Sequence, residues 1–100
     1  MEDSIVGYQK LTVSSTAVGF TLPSVREVTK ALCKVEDASI RWRADGTDPT
    51  SSSGYPVDPG AAPFIIGGQN EDYSEIVNFR AIRVYSQDAA ISIVFYGRKA

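Results

Sequence analysis

Histidine is absent from this 100-residue sequence. With it go imidazole general bases, Ser-His-Asp and Cys-His nucleophile systems, and nearly all zinc sites. Cysteine occurs once, at Cys33, so no intrachain disulfide forms and a secreted disulfide scaffold is excluded. On its alternating apolar pattern Cys33 reads as a small core residue, since a nucleophile would need an activating base. No apolar run approaches the roughly 20 residues of a membrane-spanning helix. Met1-Glu2-Asp3 is acidic and no apolar signal core follows, so cytoplasmic synthesis without a secretory leader is expected. Ten Lys and Arg against twelve Asp and Glu give a net charge of −2, which offers no electrostatic ground for nucleic acid. Gly67-Gly68 lacks the flanking pattern of a phosphate loop and reads as a turn. Neither membrane, nucleic acid nor cofactor is therefore expected as a partner.

What is present suits a single domain, residues 1–100. Hydrophobic residues make up 43% of the chain, and a chain of this mass buries about 65% of its unfolded surface. The pattern is that of strands. Ile5–Val13 reads as a first strand with a bulge at Gly7, and Ala17–Leu22 as a second, ended by Pro23. Ser24 and Glu27 make a capping box for at most one helical turn. From Thr29 to Glu36 the period is two: Thr29, Ala31, Cys33 and Val35 face one way, Lys30, Lys34 and Glu36 the other. Apolar Leu32 falls on the charged face, against the pattern.

The most distinctive stretch runs from Ser39 to Val57. It opens as a strand with Ile40, Trp42 and Ala44 on one face and Arg41 and Arg43 on the other. Asp45-Gly46 then turns the chain. Eleven of the fifteen residues from Gly46 to Gly60 are Gly, Pro, Ser or Thr, so a long polar loop follows. Pro63–Ile66 is a short strand. Glu75–Tyr85 reads as a long one in which Val77, Phe79 and Ala81 share a parity, with a bulge where Ile82 and Val84 take the other. Ala90–Tyr96 closes the domain. The fold class expected is all-β, a compact antiparallel β-sandwich or jelly roll of seven or eight strands.

Candidate chemistry is sparse. Asp45, Asp48, Asp58, Glu71 and Asp72 lie in turn sequences, where carboxylates serve turn geometry before they serve paired-acid hydrolysis. Asp45, Asp48 and Asp58 offer calcium-type oxygens without the regular spacing of an EF-hand. Trp42 reads as a core residue, with a sugar-stacking platform as the alternative. Arg41 and Arg43 project outward, available to carboxylates of a neighbouring subunit such as Glu71 or Asp72. Neither a catalytic nor a metal-ligating set emerges.

Arg41-Trp-Arg43, Asp45-Gly-Thr-Asp-Pro-Thr50, Gly54-Tyr-Pro-Val57, Phe79-Arg-Ala-Ile82 and Val94-Phe-Tyr96 together resemble the pattern of small tailed-bacteriophage virion structural proteins. The likeness covers the last two thirds of the chain. It implies a non-enzymatic capsid decoration or cement protein that binds major capsid or other virion subunits. A β-rich homotrimer assembled in the host cytoplasm goes with that reading. A shorter span, the strand plus Asp-Gly-Thr-Asp-Pro-Thr-Ser-Ser with Tyr55-Pro-Val57, is similar to the immunoglobulin-like module of bacterial chitobiases. That likeness implies an accessory or carbohydrate-binding module. For subunit contact the expected surface is where apolar residues are spent outside regular strands: Tyr55, Val57, Phe64 and Ile65, held by the proline-rich segment Pro56 to Pro63, with Arg41 and Arg43 pairing across the boundary. The alternative is that Phe64 and Ile65 close the end of the sandwich.

Overall fold

The computed structural model describes residues 4–21, 28–67 and 74–97. Among these residues, seven strands and one short helix follow in the order β1 (Ser4–Val13), β2 (Val28–Glu36), β3 (Ile40–Arg43), β4 (Tyr55–Val57), β5 (Phe64–Gly67), α1 (Ser74–Asn78), β6 (Arg80–Arg83) and β7 (Ala89–Gly97). They form two antiparallel sheets, one ordered β1-β7-β2-β5 and the other β4-β3-β6. The chain is an all-β, sandwich-like domain, as its alternation predicts.

Alternation places the core. Along β7, Ile91, Ile93 and Phe95 point inward while Ser92, Val94 and Tyr96 point out, the period-two consequence of the pleat. β2 contributes Ala31, Cys33 and Val35 to the same interior. Its first inward residue is Val28 rather than Thr29, because the pairing with β7 shifts between Val28 and Lys30. The Thr29 hydroxyl instead donates to the Tyr96 carbonyl at 3.2 Å. β1 carries the bulge expected at Gly7, with the register shifting between Ile5 and Gly7. Ile40, Ile66, Ile76 and Phe79 complete the centre.

Two expected strands differ. Glu75–Tyr85 is not one bulged strand: α1 covers Ser74–Asn78 and only Arg80–Arg83 is extended. Buried Ile76 and Phe79 are three apart and Phe79 and Ala81 two apart, so one face is served first by helical and then by strand spacing. Val77, expected inside, is 56% exposed. In the stretch expected as a second strand only Val18 pairs, in a lone bridge with Ala81. Leu22 and the Ser24–Glu27 turn lie outside the described residues. The rest of that connection closes one side of the sandwich. Val18 exchanges both backbone hydrogen bonds with Ala81, Arg83 donates its N–H to the Ser14 carbonyl, and Phe20 wedges between the sheets. Its ring lies parallel to Phe79 at 4.3 Å and edge-on to Phe95 at 5.5 Å.

The β2–β3 corner is tight. Asp37 takes a φ of 77°, and Ala38 donates its N–H back to the Glu36 carbonyl at 2.9 Å, the hydrogen bond of a γ-turn.

Candidate functional site

The opposite side of the sandwich is bounded by the edge strands β4 and β5, joined by residues 58–63. A hollow of about 650 Å³ opens there, within the range of ligand and partner pockets. Tyr55, Val57, Phe64 and Ile65 all line it, with Trp42, Pro56 and Asp58. The four apolar residues singled out from the sequence thus come together, not outside regular strands as expected but two from each of the edge strands β4 and β5. Proline at position 56 fixes φ in β4, and as an edge residue it leaves no ladder bond unmade. Behind the hollow, Ala61 donates its N–H to the Asp58 carbonyl, and Lys34 donates from Nζ to the Ala61 carbonyl. These bonds hold the connecting loop against β2.

Trp42 forms the floor. Its indole is half-buried and lies 5.9 Å from the Tyr55 ring, 5.7 Å from Phe64 and 5.6 Å from Phe79. Offset packing of this kind is favourable beyond the area it hides. Trp42 Nε1 is shut away from solvent and finds no acceptor among the described residues. Surrounded by three rings, Trp42 is part of the core's aromatic ladder. The ring that faces outward is Tyr55, 60% exposed.

Arg41 and Arg43 sit on the other face of β3 and turn back on their own chain. Arg41 donates from Nε to the Ser51 carbonyl at 3.1 Å and from a terminal nitrogen to the Gly54 carbonyl at 2.8 Å. Arg43 grips both carboxylate oxygens of Asp45, at 3.1 and 2.5 Å, and reaches Ser53 Oγ at 3.4 Å. Asp45 also accepts from the Thr47 N–H. The Arg43 guanidinium holds the Asp45 carboxyl below its ordinary value, and Asp45 in turn raises Arg43. Thr50 and Ser53 exchange backbone bonds across the loop tip. Gly46 supplies the positive φ of the Asp45-Gly46 turn, at 90°. Gly54 takes 128°, packed so that a Cβ would stand 3.1 Å from the Trp42 carbonyl. The two arginines therefore fasten the polar loop. Glu71 and Asp72, named as their partners across a subunit boundary, lie outside the described residues.

The remaining candidates stay apart. Asp58 accepts from Ser39 Oγ at 2.7 Å, Asp45 is held by Arg43, and among the described residues no three acidic, Cys or His side chains gather as a cation site. Cys33 is fully buried, its thiol pushed up to about 12 by desolvation, which leaves almost no thiolate near neutrality.

Sequence reasoning missed the outer face of the four-stranded sheet. Tyr8, Val94, Leu32 and Ile65 stand in register across β1, β7, β2 and β5, with Ile5 and Tyr96 in the row beside them. Lys30 Nζ sits over the Tyr96 ring at 5.4 Å. Leu32, out of place in the strand pattern, was the signal of this row. A second, smaller hollow of about 220 Å³ between Lys30, Leu32, Ile65 and Tyr96 lies on this face, so Ile65 borders both hollows.

No protein-family model, curated protein or solved structure matches the chain.

Proposed function

We propose that this chain is a non-enzymatic virion structural protein. In this reading it is a decoration or cement subunit that binds major capsid subunits and acts as a homotrimer, with the β4–β5 side as its contact surface. The observation that carries the reading is the meeting of Tyr55, Val57, Phe64 and Ile65 around one hollow. Tyr55 and Ile65 stand 60% and 57% exposed there. Exposed aromatic and aliphatic side chains on a rigid frame are the usual anchors of protein contacts. The residue inventory agrees, with no imidazole in the chain and a thiol sealed in the core. Joined copies would hold a shell more firmly than one weak contact, through effective concentration.

A second reading, an accessory carbohydrate-binding module, is favoured by the exposed Tyr55 ring stacked on Trp42. Co-sedimentation with undecorated phage heads separates the two. Retention on heads, lost in Tyr55→Ser, supports the assembly reading. A protein that stays in the supernatant while a glycan array lights up in a Tyr55-dependent way overturns it in favour of the second.

A further inference from the structure

A ring of three identical copies needs two different patches per copy, because cyclic contacts beyond the dimer join unlike surfaces. The β4–β5 side is one such patch, so a second must exist elsewhere on the chain. We infer that the counterpart is the β1 edge around Tyr8, which extends the β5 edge of the next copy by antiparallel strand pairing. This inference rests on the homotrimer reading above and names the partner of that same site.

Four observations carry it. First, β1 and β5 are the two edges of one sheet. Among the described residues, β1 pairs only with β7, and Phe64, Ile65 and Ile66 pair only with β2. Edge strands present backbone donors and acceptors that an added strand satisfies. Secondly, every neighbouring pair in that sheet is antiparallel. Across four strands β1 and β5 therefore run in opposite directions, and β5 meets β1 of an identically oriented copy as an antiparallel neighbour.

Thirdly, the row Tyr8, Val94, Leu32, Ile65 begins at one edge and ends at the other. Its middle members are half-covered, whereas Tyr8 and Ile65 are 65% and 57% exposed. Joining the edges sets Tyr8 of one copy beside Ile65 of the next and makes the row continuous. Together with Ile5, these side chains leave on the order of 400 Å² of apolar surface in water, within the range of the largest, often functional, patch on a monomer. Fourthly, charge does not oppose the junction. Phe64–Gly67 carries none, and Lys10 on β1 stands 3.8 Å from Glu36 of its own copy. Of the other exposed large apolar residues among those described, Tyr55 lines the β4–β5 hollow, and Val77 on α1 and Tyr85 after β6 belong to no such row.

The test uses two single variants, Tyr8→Lys and Ile65→Lys, both at exposed positions, with circular dichroism to verify the fold. Light scattering at micromolar concentration is expected to show assembled wild type and two monomeric variants. Mixed in equal amounts, the variants should form a one-to-one heterodimer, because one retains an intact β5 and the other an intact β1. An Ile65→Lys monomer beside a Tyr8→Lys variant that still assembles would overturn the inference, since the contact would then join like patches. So would variants that both assemble as wild type does, and so would a mixture that stays monomeric. Independently of the lysines, a Tyr8→Cys, Ile65→Cys double variant should oxidise to a ladder of joined chains, with buried Cys33 silent. No ladder overturns the inference. A heterodimer in the mixture together with a wild-type mass other than three copies keeps this contact and overturns only the homotrimer.

Discussion

Replacing Trp42 by alanine tests the aromatic floor of the hollow directly. The indole packs against Tyr55, Phe64 and Phe79 at 5.6–5.9 Å between centroids. An aromatic side chain buries about 150–250 Å², and half-buried Trp42 belongs at the lower end of that range. At about 25 cal/mol per Å², 150 Å² corresponds to roughly 4 kcal/mol, in line with the ~3–5 kcal/mol measured for large aromatic truncations in cores. With a urea slope near 1.5–2 kcal/mol/M, ordinary for a chain this size, the midpoint should fall by about 2 M. Trp42→Phe separates packing from the polar tip. It keeps most of the apolar body and removes an Nε1 that has no acceptor among the described residues. Shutting such a donor from water costs about 1–3 kcal/mol, so its removal offsets the lost area and the net change should stay under about 1 kcal/mol. Urea titration followed by far-ultraviolet circular dichroism reads both variants without the fluorophore, and wild-type emission should be blue-shifted. An alanine variant that loses less than about 1 kcal/mol would refute this account of the floor, because a sugar platform can be removed without unfolding its frame.

Two further outcomes follow from the titratable groups. The Cys33 thiol, raised by burial to about 12 from 9.0, should resist aromatic disulfide reagents in the native state at pH 8. Its contribution to stability is complete below pH 9.0, the unfolded value, and is lost as pH rises toward 12, so Cys33→Ala should flatten the alkaline limb of the melting curve. Asp45 is shifted the other way, by Arg43. Its contribution is present above the ordinary value of 3.8 and lost as pH falls through the lower folded value. In Asp45→Asn the acid limb below about pH 4 should therefore be less steep, with wild-type behaviour near neutrality unchanged in shape.

Much of the fold was legible because each sheet buries one face. Ala31, Cys33 and Val35 in β2 and Ile91, Ile93 and Phe95 in β7 declare their orientation by alternation alone, and Gly7 marked its bulge. Helix α1 was not legible, because five residues are too few for a helical period to emerge. Ile76 and Phe79 read equally well as a broken alternation. The Val18 bridge was overread as a strand for a related reason: the parity of Val18 and Phe20 is real, but Phe20 serves to plug the sandwich. At the candidate site the apolar residues were legible as a set, since Tyr55, Val57, Phe64 and Ile65 flank or lie within a proline-rich segment, but their place in two short edge strands, β4 and β5, was not. The arginines were not. Arg41 binds the carbonyls of Ser51 and Gly54, and a backbone acceptor leaves no mark in a sequence.

The four edges of the sandwich are guarded unequally, and this bears on how the chain meets other proteins. β6 is covered by its own chain, through Ser14 and Val18. β4 carries Pro56 opposite Arg41, a residue that cannot donate to a ladder. β1 is bulged between Ile5 and Gly7 and bears Lys10, and from Gly7 to Val13 its pairing with β7 is regular. β5 has neither charge nor proline within Phe64–Gly67. Soluble proteins blunt such edges because an unguarded apolar strand recruits other strands without discrimination. Discrimination here comes from length. β5 spans four residues and so sets the length of any added ladder, and the longer regular run of β1, Gly7–Val13, contributes to it the residues around Tyr8. A short apolar edge of this kind lowers the cost of specific pairing and offers little to long, unrelated strands, which would lose register at both ends.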